Sequence, residues 1–143
     1  MIRVGIISGG FDPIHSGHIH YIKSAKELCD ILVVGVNSDD WLERKKGKAF
    51  MPWGERAAIV SAIVGVDCVL FFNDNDGSAR NLIHKVQELY SDDPVEYIFM
   101  NGGDRTKENI PEMDCVNVNF LFGVGGADKA NSSSWILKQW ETK

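Results

Sequence analysis

Two histidines set three positions apart, in Gly10-Phe11-Asp12-Pro13-Ile14-His15-Ser16-Gly17-His18, are the first residues of this chain whose types and spacing could do chemistry. Their ring N–H groups can donate to phosphate oxygens, and Gly17 leaves room for a nucleotide to approach the backbone. Three more polar clusters could join them. One runs from Asn37 to Lys48 and holds Arg44, Lys45 and Lys46; the others are Asn101-Gly102-Gly103-Asp104 and Ser132-Ser133-Ser134.

Other chemistries fit poorly. The pair Gly9-Gly10 followed by Phe11-Asp12 fails the G-x-G-x-x-G spacing of a dinucleotide fold, and no G-x-x-x-x-G-K-[ST] loop occurs. There is no G-x-S-x-G hydrolase elbow. Two histidines across a glycine turn, without a cysteine partner, make a poor zinc site.

The elements that must position these clusters follow from apolar periodicity. Ile2, Val4, Ile6 and Ile7 form a β-branched run that stops at the glycine pair. Ile19, Ile22, Ala25 and Leu28 then recur at i, i+3, i+6 and i+9. This is a strand, a glycine turn and an amphipathic helix, in which free backbone N–H groups converge on the loop and favour an anion. Asp30 to Val36 reads as a strand buried on both faces, followed by a polar and basic loop. A second helix carries Ala57, Ile59, Val60, Ile63 and Val64 and closes at Gly65. Further strands are expected at 68–72, 96–100 and 115–120, with helices from about Ser78 to Tyr90 and from Trp135 to about Trp140. The order β-α-β-α-β-α-β-β-α predicts an α/β fold: a doubly wound, mostly parallel sheet in one domain over residues 1–143. All four polar clusters would then meet on one rim of the sheet.

A chain of 143 residues with 44% hydrophobic composition can bury a proper core. Its net charge of −5 argues against a general nucleic-acid binder, so phosphate chemistry requires a local positive pocket. Cys29, Cys68 and Cys115 form no C-x-x-C pair and read as small buried hydrophobes in a reducing compartment. The start runs straight into strand-like sequence without a signal peptide, and no apolar run approaches the ~20 residues that span a membrane. A cytoplasmic protein is expected.

With both ends in view, Gly10-Phe11-Asp12 and His15-Ser16-Gly17-His18 resemble the nucleotide-binding motif of the cytidylyltransferase-like nucleotidyltransferase superfamily. Ser132-Ser133-Ser134-Trp135-Ile136 is similar to the family's second motif, I-S-[ST]-T-x-I. Asn37-Ser38-Asp39, Lys45-Lys46, Glu55-Arg56 and Gly102-Gly103-Asp104 fall between them in the family's order. The resemblance implies a Rossmann-like fold and a reaction in which a phosphate-bearing acceptor attacks the α-phosphate of a nucleoside triphosphate. It also implies site residues. His15, His18, Lys45 and Ser133 are catalytic candidates. Gly9, Gly10, Phe11, Asp12, Gly17, Lys46, Arg56, Gly103, Asp104, Ser132 and Ser134 are nucleotide-binding candidates. Lys45 or Lys46 would arrive on a mobile loop, Asp12 would assist a metal or brace its loop, and Arg56 would contact phosphate. Mg²⁺ would be held mainly through the phosphates rather than by protein ligands.

Within the family the markers conflict. Phe11-Asp12-Pro13-Ile14-His15 resembles nicotinate-mononucleotide adenylyltransferases, although these end the second motif with an arginine where Leu137 stands, followed here by Lys138. The short chain, the lysines, Glu55-Arg56 and Gly102-Gly103-Asp104 resemble glycerol-3-phosphate cytidylyltransferases and ADP-heptose-forming enzymes. The arginine and isoleucine of the glycerol-phosphate group's R-T-E-G-I-S-T-T element fall on Ala127 and Asn131, with Lys129 a candidate replacement. The resemblance therefore implies CTP or ATP with a small sugar- or polyol-phosphate, no nucleic acid, no membrane, and a possible homodimer. A non-catalytic nucleotide-binding module is the rival.

Overall fold

β-Branched runs pair in the computed structural model into five strands, because each can bury apolar side chains on both faces at once. The structure describes residues 1–91, 94–103, 105–126 and 132–141. The elements are β1 (Ile2–Gly9), α1 (Ser16–Lys26), β2 (Ile31–Val36), α2 (Asp39–Lys46), α3 (Trp53–Ser61), β3 (Cys68–Phe71), α4 (Arg80–Leu89), β4 (Val95–Met100), a 3₁₀ turn (Pro111–Asp114), β5 (Asn119–Leu121) and α5 (Ser133–Glu141). The strand order is β3-β2-β1-β4-β5, and every pairing is parallel. The expected mostly parallel sheet is wholly parallel among the described residues. Strand order reverses between β1 and β4, where open α/β sheets carry their ligands.

Two apolar layers make the fold doubly wound. On one face Ile7, Val34 and Met100 pack with Ile22 of α1 and Val60 of α3. On the other Val4, Ile6, Val33 and Phe99 pack with Leu82, Ile83 and Val86 of α4. The alternation along each strand therefore decides which side of the rim a residue serves.

Several boundaries differ from expectation, four of them instructively. The polar and basic stretch expected as a loop is the helix α2. Ser38 Oγ accepts from Trp41 N at 3.0 Å, Asp39 and Asp40 lie in the first turn, and Arg44, Lys45 and Lys46 lie in the last. Capping and charges complementary to the helix dipole define it, while only Leu42 is buried, so apolar periodicity gave no sign. The second helix ends at Ser61, four residues before Gly65. The fifth strand pairs only over Asn119–Leu121, because Cys115 follows the 3₁₀ turn and Asn117 takes a φ of 59°. Finally, α5 begins at Ser133 rather than Trp135.

Gly35 is required by packing: a Cβ there would overlap the methyls of Leu82 and stand 2.9 Å from Phe72 Cε1. Gly35→Ala is expected to lower stability by about 1–3 kcal/mol through overpacking. Gly54→Ala, in α3 with nothing within 4 Å, is expected to raise it by about 0.5–1 kcal/mol. Urea unfolding of both variants checks the pair.

Candidate active site

Local backbone chemistry fixes the first loop. Phe11 takes a φ of 52°, is buried, and sets its ring edge-to-face on His18 with centroids 5.0 Å apart. His15 is the N-cap of α1, and its Nδ1 accepts from Gly17 N at 3.0 Å. His18 reaches back so that its Nδ1 accepts from His15 N at 3.2 Å. The two side chains thus form a reciprocal capping box, a task that Ser/Thr and Glu usually perform. Their rings stack at 3.9 Å. Because both Nδ1 atoms accept, each neutral ring carries its proton on Nε2. Burial pushes His15 below the ordinary imidazole value. Burial, and then the neighbouring His15, push His18 down to about 4. The pair presents neutral N–H donors near a helix N-terminus.

The other predicted residues divide between the cavity and its frame. Lys45 stacks over the Trp41 ring at 4.7 Å. Burial, Arg105 and Lys46 hold its ammonium below the usual lysine value, and no carboxylate pairs with it among the described residues. Such a cation favours an incoming anion. Lys46 pairs with Asp12 Oδ2 at 3.0 Å and also donates to Asp12 O. Neither lysine sits on a loop, since both close α2.

Asp12 and Arg56 need correction as ligand contacts. Asp12 is 3% exposed, and its two oxygens accept from Phe50 N and Met51 N at 2.6 and 2.7 Å. It braces the loop, the second of its two expected roles. Arg56 has no exposed surface. It donates to Met51 O, Gly10 O, Asn37 O and Asp39 Oδ1, at 2.6–2.9 Å. Those acceptors hold its guanidinium inside the protein, where a phosphate does not reach. The apolar spacing of α3 gives no sign of this, although an arginine in a helix's first turn is an anomaly that marks it.

The serine cluster starts α5. Ser132 Oγ accepts from Trp135 N at 3.4 Å and hydrogen-bonds Ser134 Oγ at 2.8 Å. Ser133 Oγ donates to Pro13 O at 2.8 Å, which joins the two motifs directly. Asp104 and the stretch holding Ala127, Lys129 and Asn131 lie outside the described residues.

Two cavities meet at His18, Trp41, Ser132 and Ser133. One, of about 460 Å³, includes His15, Gly17 and Gly103. The larger, of about 940 Å³, includes Gly10, Phe11, Asp12, Lys45, Lys46 and Ser134. Gly9 and Arg56 line neither. Arg105 and Glu112, which the motifs did not single out, line the smaller one. A cation just after Gly102-Gly103-Asp104 was the available sign for Arg105, whereas nothing in the sequence marked Glu112.

A family model described as cytidylyltransferase-like matches residues 6–125. The chain is similar to the bifunctional protein HldE of Rhodopseudomonas palustris (strain BisB5), 33% identical over 111 residues, covering 76% of this chain and 21% of the relative. It thus spans about a fifth of the length of the curated relatives it matches. Among solved structures, a lipopolysaccharide core biosynthesis protein from Thermoplasma volcanium GSS1 superposes with a TM-score of 0.62 at 25% identity, covering 92% of this chain and 99% of that one. A bifunctional NMN adenylyltransferase/ADP ribose pyrophosphatase from Francisella tularensis, complexed with AMP and a manganese ion, gives 0.65 at 14% identity. It covers 99% of this chain and 42% of that one, and shows the fold alone. The family model spans most of the sequence and contains the histidine loop: this chain belongs to the cytidylyltransferase-like family.

Proposed function

We propose that the chain is a nucleotidyltransferase that moves CMP or AMP from its triphosphate to a small sugar- or polyol-phosphate and releases pyrophosphate. One observation carries the reading. Both Nδ1 lone pairs of His15 and His18 are taken by backbone N–H groups, and both Nε2 atoms are protonated. Neither imidazole has a lone pair left to act as a base. A hydroxyl nucleophile would need one, whereas a phosphomonoester, with a second pKa of about 6, is already ionised at pH 7. The pair instead donates to the α-phosphate as charge builds on it, with the geometry fixed in advance.

The two cavities divide the triphosphate at that point. The α-phosphate lies against His15 and His18. The β- and γ-phosphates extend into the larger cavity, toward Lys45, Lys46 and the serines at the N-terminus of α5. Ser133, tied to Pro13 O, holds the two phosphate seats in register. The base and ribose lie along the glycine-walled side at Gly102, Gly103 and Val124. A Cβ on Gly102 would stand 3.0 Å from both the Tyr21 ring and Val124 O, so the wall there is already at contact distance.

Magnesium fits as part of the nucleotide substrate. Asp12, the buried carboxylate nearest the triphosphate seat, already holds two N–H groups and Lys46. Among the described residues no cluster of three or more potential ligands stands ready. The ion would offset phosphate charge and orient the leaving pyrophosphate.

A pyrophosphate-release assay with CTP or ATP, against glycerol-3-phosphate and heptose-1-phosphate, tests the reading. Nucleotide binding without turnover for any pair would favour a binding module instead. His15→Ala and His18→Ala are each expected to lower kcat about 10²–10³-fold; unchanged turnover would remove the histidines from the mechanism. The pH dependence has a definite sign. The working form is the neutral donor, so kcat/KM stays level from pH 7 to 9 instead of falling as an imidazolium is lost. Because folding depresses the His18 pKa from 6.5 to about 4, its contribution to stability is full above pH 6.5 and is lost as pH falls toward 4. Urea midpoints measured across that window, with His18→Gln flattening the slope, check it.

A further inference from the structure

We infer that the side of the smaller cavity facing α4 is an acceptor subsite that reads hydroxyl groups, with Glu112 as its specificity-determining residue. This rests on the nucleotidyltransferase reading. Strand parity decides which residues reach the subsite. On β1, Val4 and Ile6 point toward α4; on β2 and β4, Val33 and Phe99 do the same. The same alternation carried to the strand ends places Ser8, Asn37 and Asn101 on that face, past the last apolar layer. All three line the cavity. Three adjacent strands thus end in small polar residues, on the face opposite the one carrying α1.

The 3₁₀ turn closes this pocket from above with Glu112, which is 7% exposed. Its Oε2 accepts from Ala79 N, the N-cap of α4, at 2.6 Å. Its Oε1 has no protein partner, and no lysine or arginine pairs with the carboxylate among the described residues. Asn37 donates through Nδ2 to Asp74, and its Oδ1 has no partner among the described residues. Only Asn101 Nδ2 is both sealed from solvent and partnerless among the described side-chain atoms. The two unbonded oxygens therefore keep access to the cavity they line.

The chemistry is that of acceptors waiting for donors. Glu112 Oε1 and Asn37 Oδ1 need N–H or O–H groups, and Ser8 Oγ takes either role. A hydroxyl can donate to the first two and accept from Ser8. A carboxylate brings no donor and meets Glu112 with like charge, while a quaternary ammonium neither donates nor accepts. The body of the acceptor is therefore a neutral polyol or sugar, with its hydroxyls under α4 and its phosphate toward the histidines and Arg105.

Steady-state kinetics on the whole chain test this, using CTP and ATP with glycerol-3-phosphate and a hexose 1-phosphate against phosphocholine and nicotinate mononucleotide. The hydroxyl-rich acceptors are expected to be preferred. Glu112→Gln keeps an oxygen for Ala79 N, and Ser8→Ala removes one hydroxyl. Each is expected to raise the acceptor KM about tenfold while the nucleotide KM moves less than twofold. A preference for phosphocholine or nicotinate mononucleotide, an unmoved acceptor KM, or parallel rises in both KM values overturns the inference; Ser8→Ala decides it if Glu112→Gln fails to fold. If the wild type releases no pyrophosphate with any pair, the nucleotidyltransferase reading fails on its own. Calorimetry of glycerol-3-phosphate with wild type and Ser8→Ala then settles the subsite: about tenfold weaker binding in the variant supports it, and equal or absent binding overturns it.

Discussion

The Arg56 guanidinium is the interaction on which the arrangement of the rim depends. A charge with no exposed surface is costly to bury unless its donors are met, and here four oxygens meet them. Those oxygens belong to different pieces of the site. Gly10 O lies just past the end of β1, Asn37 O just past β2, Met51 O in the approach to α3, and Asp39 in the first turn of α2. One side chain therefore fixes the histidine loop against the helix that carries Lys45. Asp12 repeats the logic with opposite charge, gathering Phe50 N, Met51 N and Lys46. These two buried ions link the loop, α2 and the start of α3, and neither is left over to bind substrate.

The same economy of parts explains the histidines. A capping side chain and a phosphate donor are usually different residues, because a serine or carboxylate that accepts backbone N–H groups has no strong donor left for a ligand. Imidazole separates the two functions on opposite sides of one ring. Nδ1 completes the helix start while Nε2–H faces outward, and the hydrogen bond at one nitrogen fixes the proton on the other. Stacking at 3.9 Å and the depressed His18 pKa then follow from holding two such rings together in a partly buried loop.

How much of this was legible depended on whether a residue's role is local. The strands, the glycine turn and the His-x-Gly-His loop could be read directly, because alternation and the turn act over a few positions. Helix α2 could be read only through its caps and terminal charges, since one buried leucine leaves almost no apolar stripe. The sequence left Asp12 open between assisting a metal and bracing its loop, and it set Arg56 on phosphate, because the partners that decide both lie up to 46 residues away. Glu112 was hidden for the same reason: its partner Ala79 is 33 residues distant, across two elements. The motifs named residues that gather around the two cavities but could not sort cavity-lining side chains from supports. That sorting depends on burial, which only the folded chain defines.

Charge distribution joins the two ends of the site. An acidic chain, net −5, repels polyanions at long range, so the triphosphate of the proposed reaction would have to be attracted locally. Lys45 has no carboxylate partner among the described residues, and burial, then the positive charges of Arg105 and Lys46, hold its ammonium below the usual lysine value. An anion seated beside Lys45 would offset both the lost solvation and the like-charge repulsion. Glu112 lines the same cavity as Arg105, with its carboxylate turned to the α4 N-terminus. The smaller cavity thus pairs a cation, Arg105, with the acceptors of Glu112 and Asn37. On the proposed reading, a substrate anionic at one end and hydroxylated at the other would satisfy both at once, and its orientation would follow from that polarity.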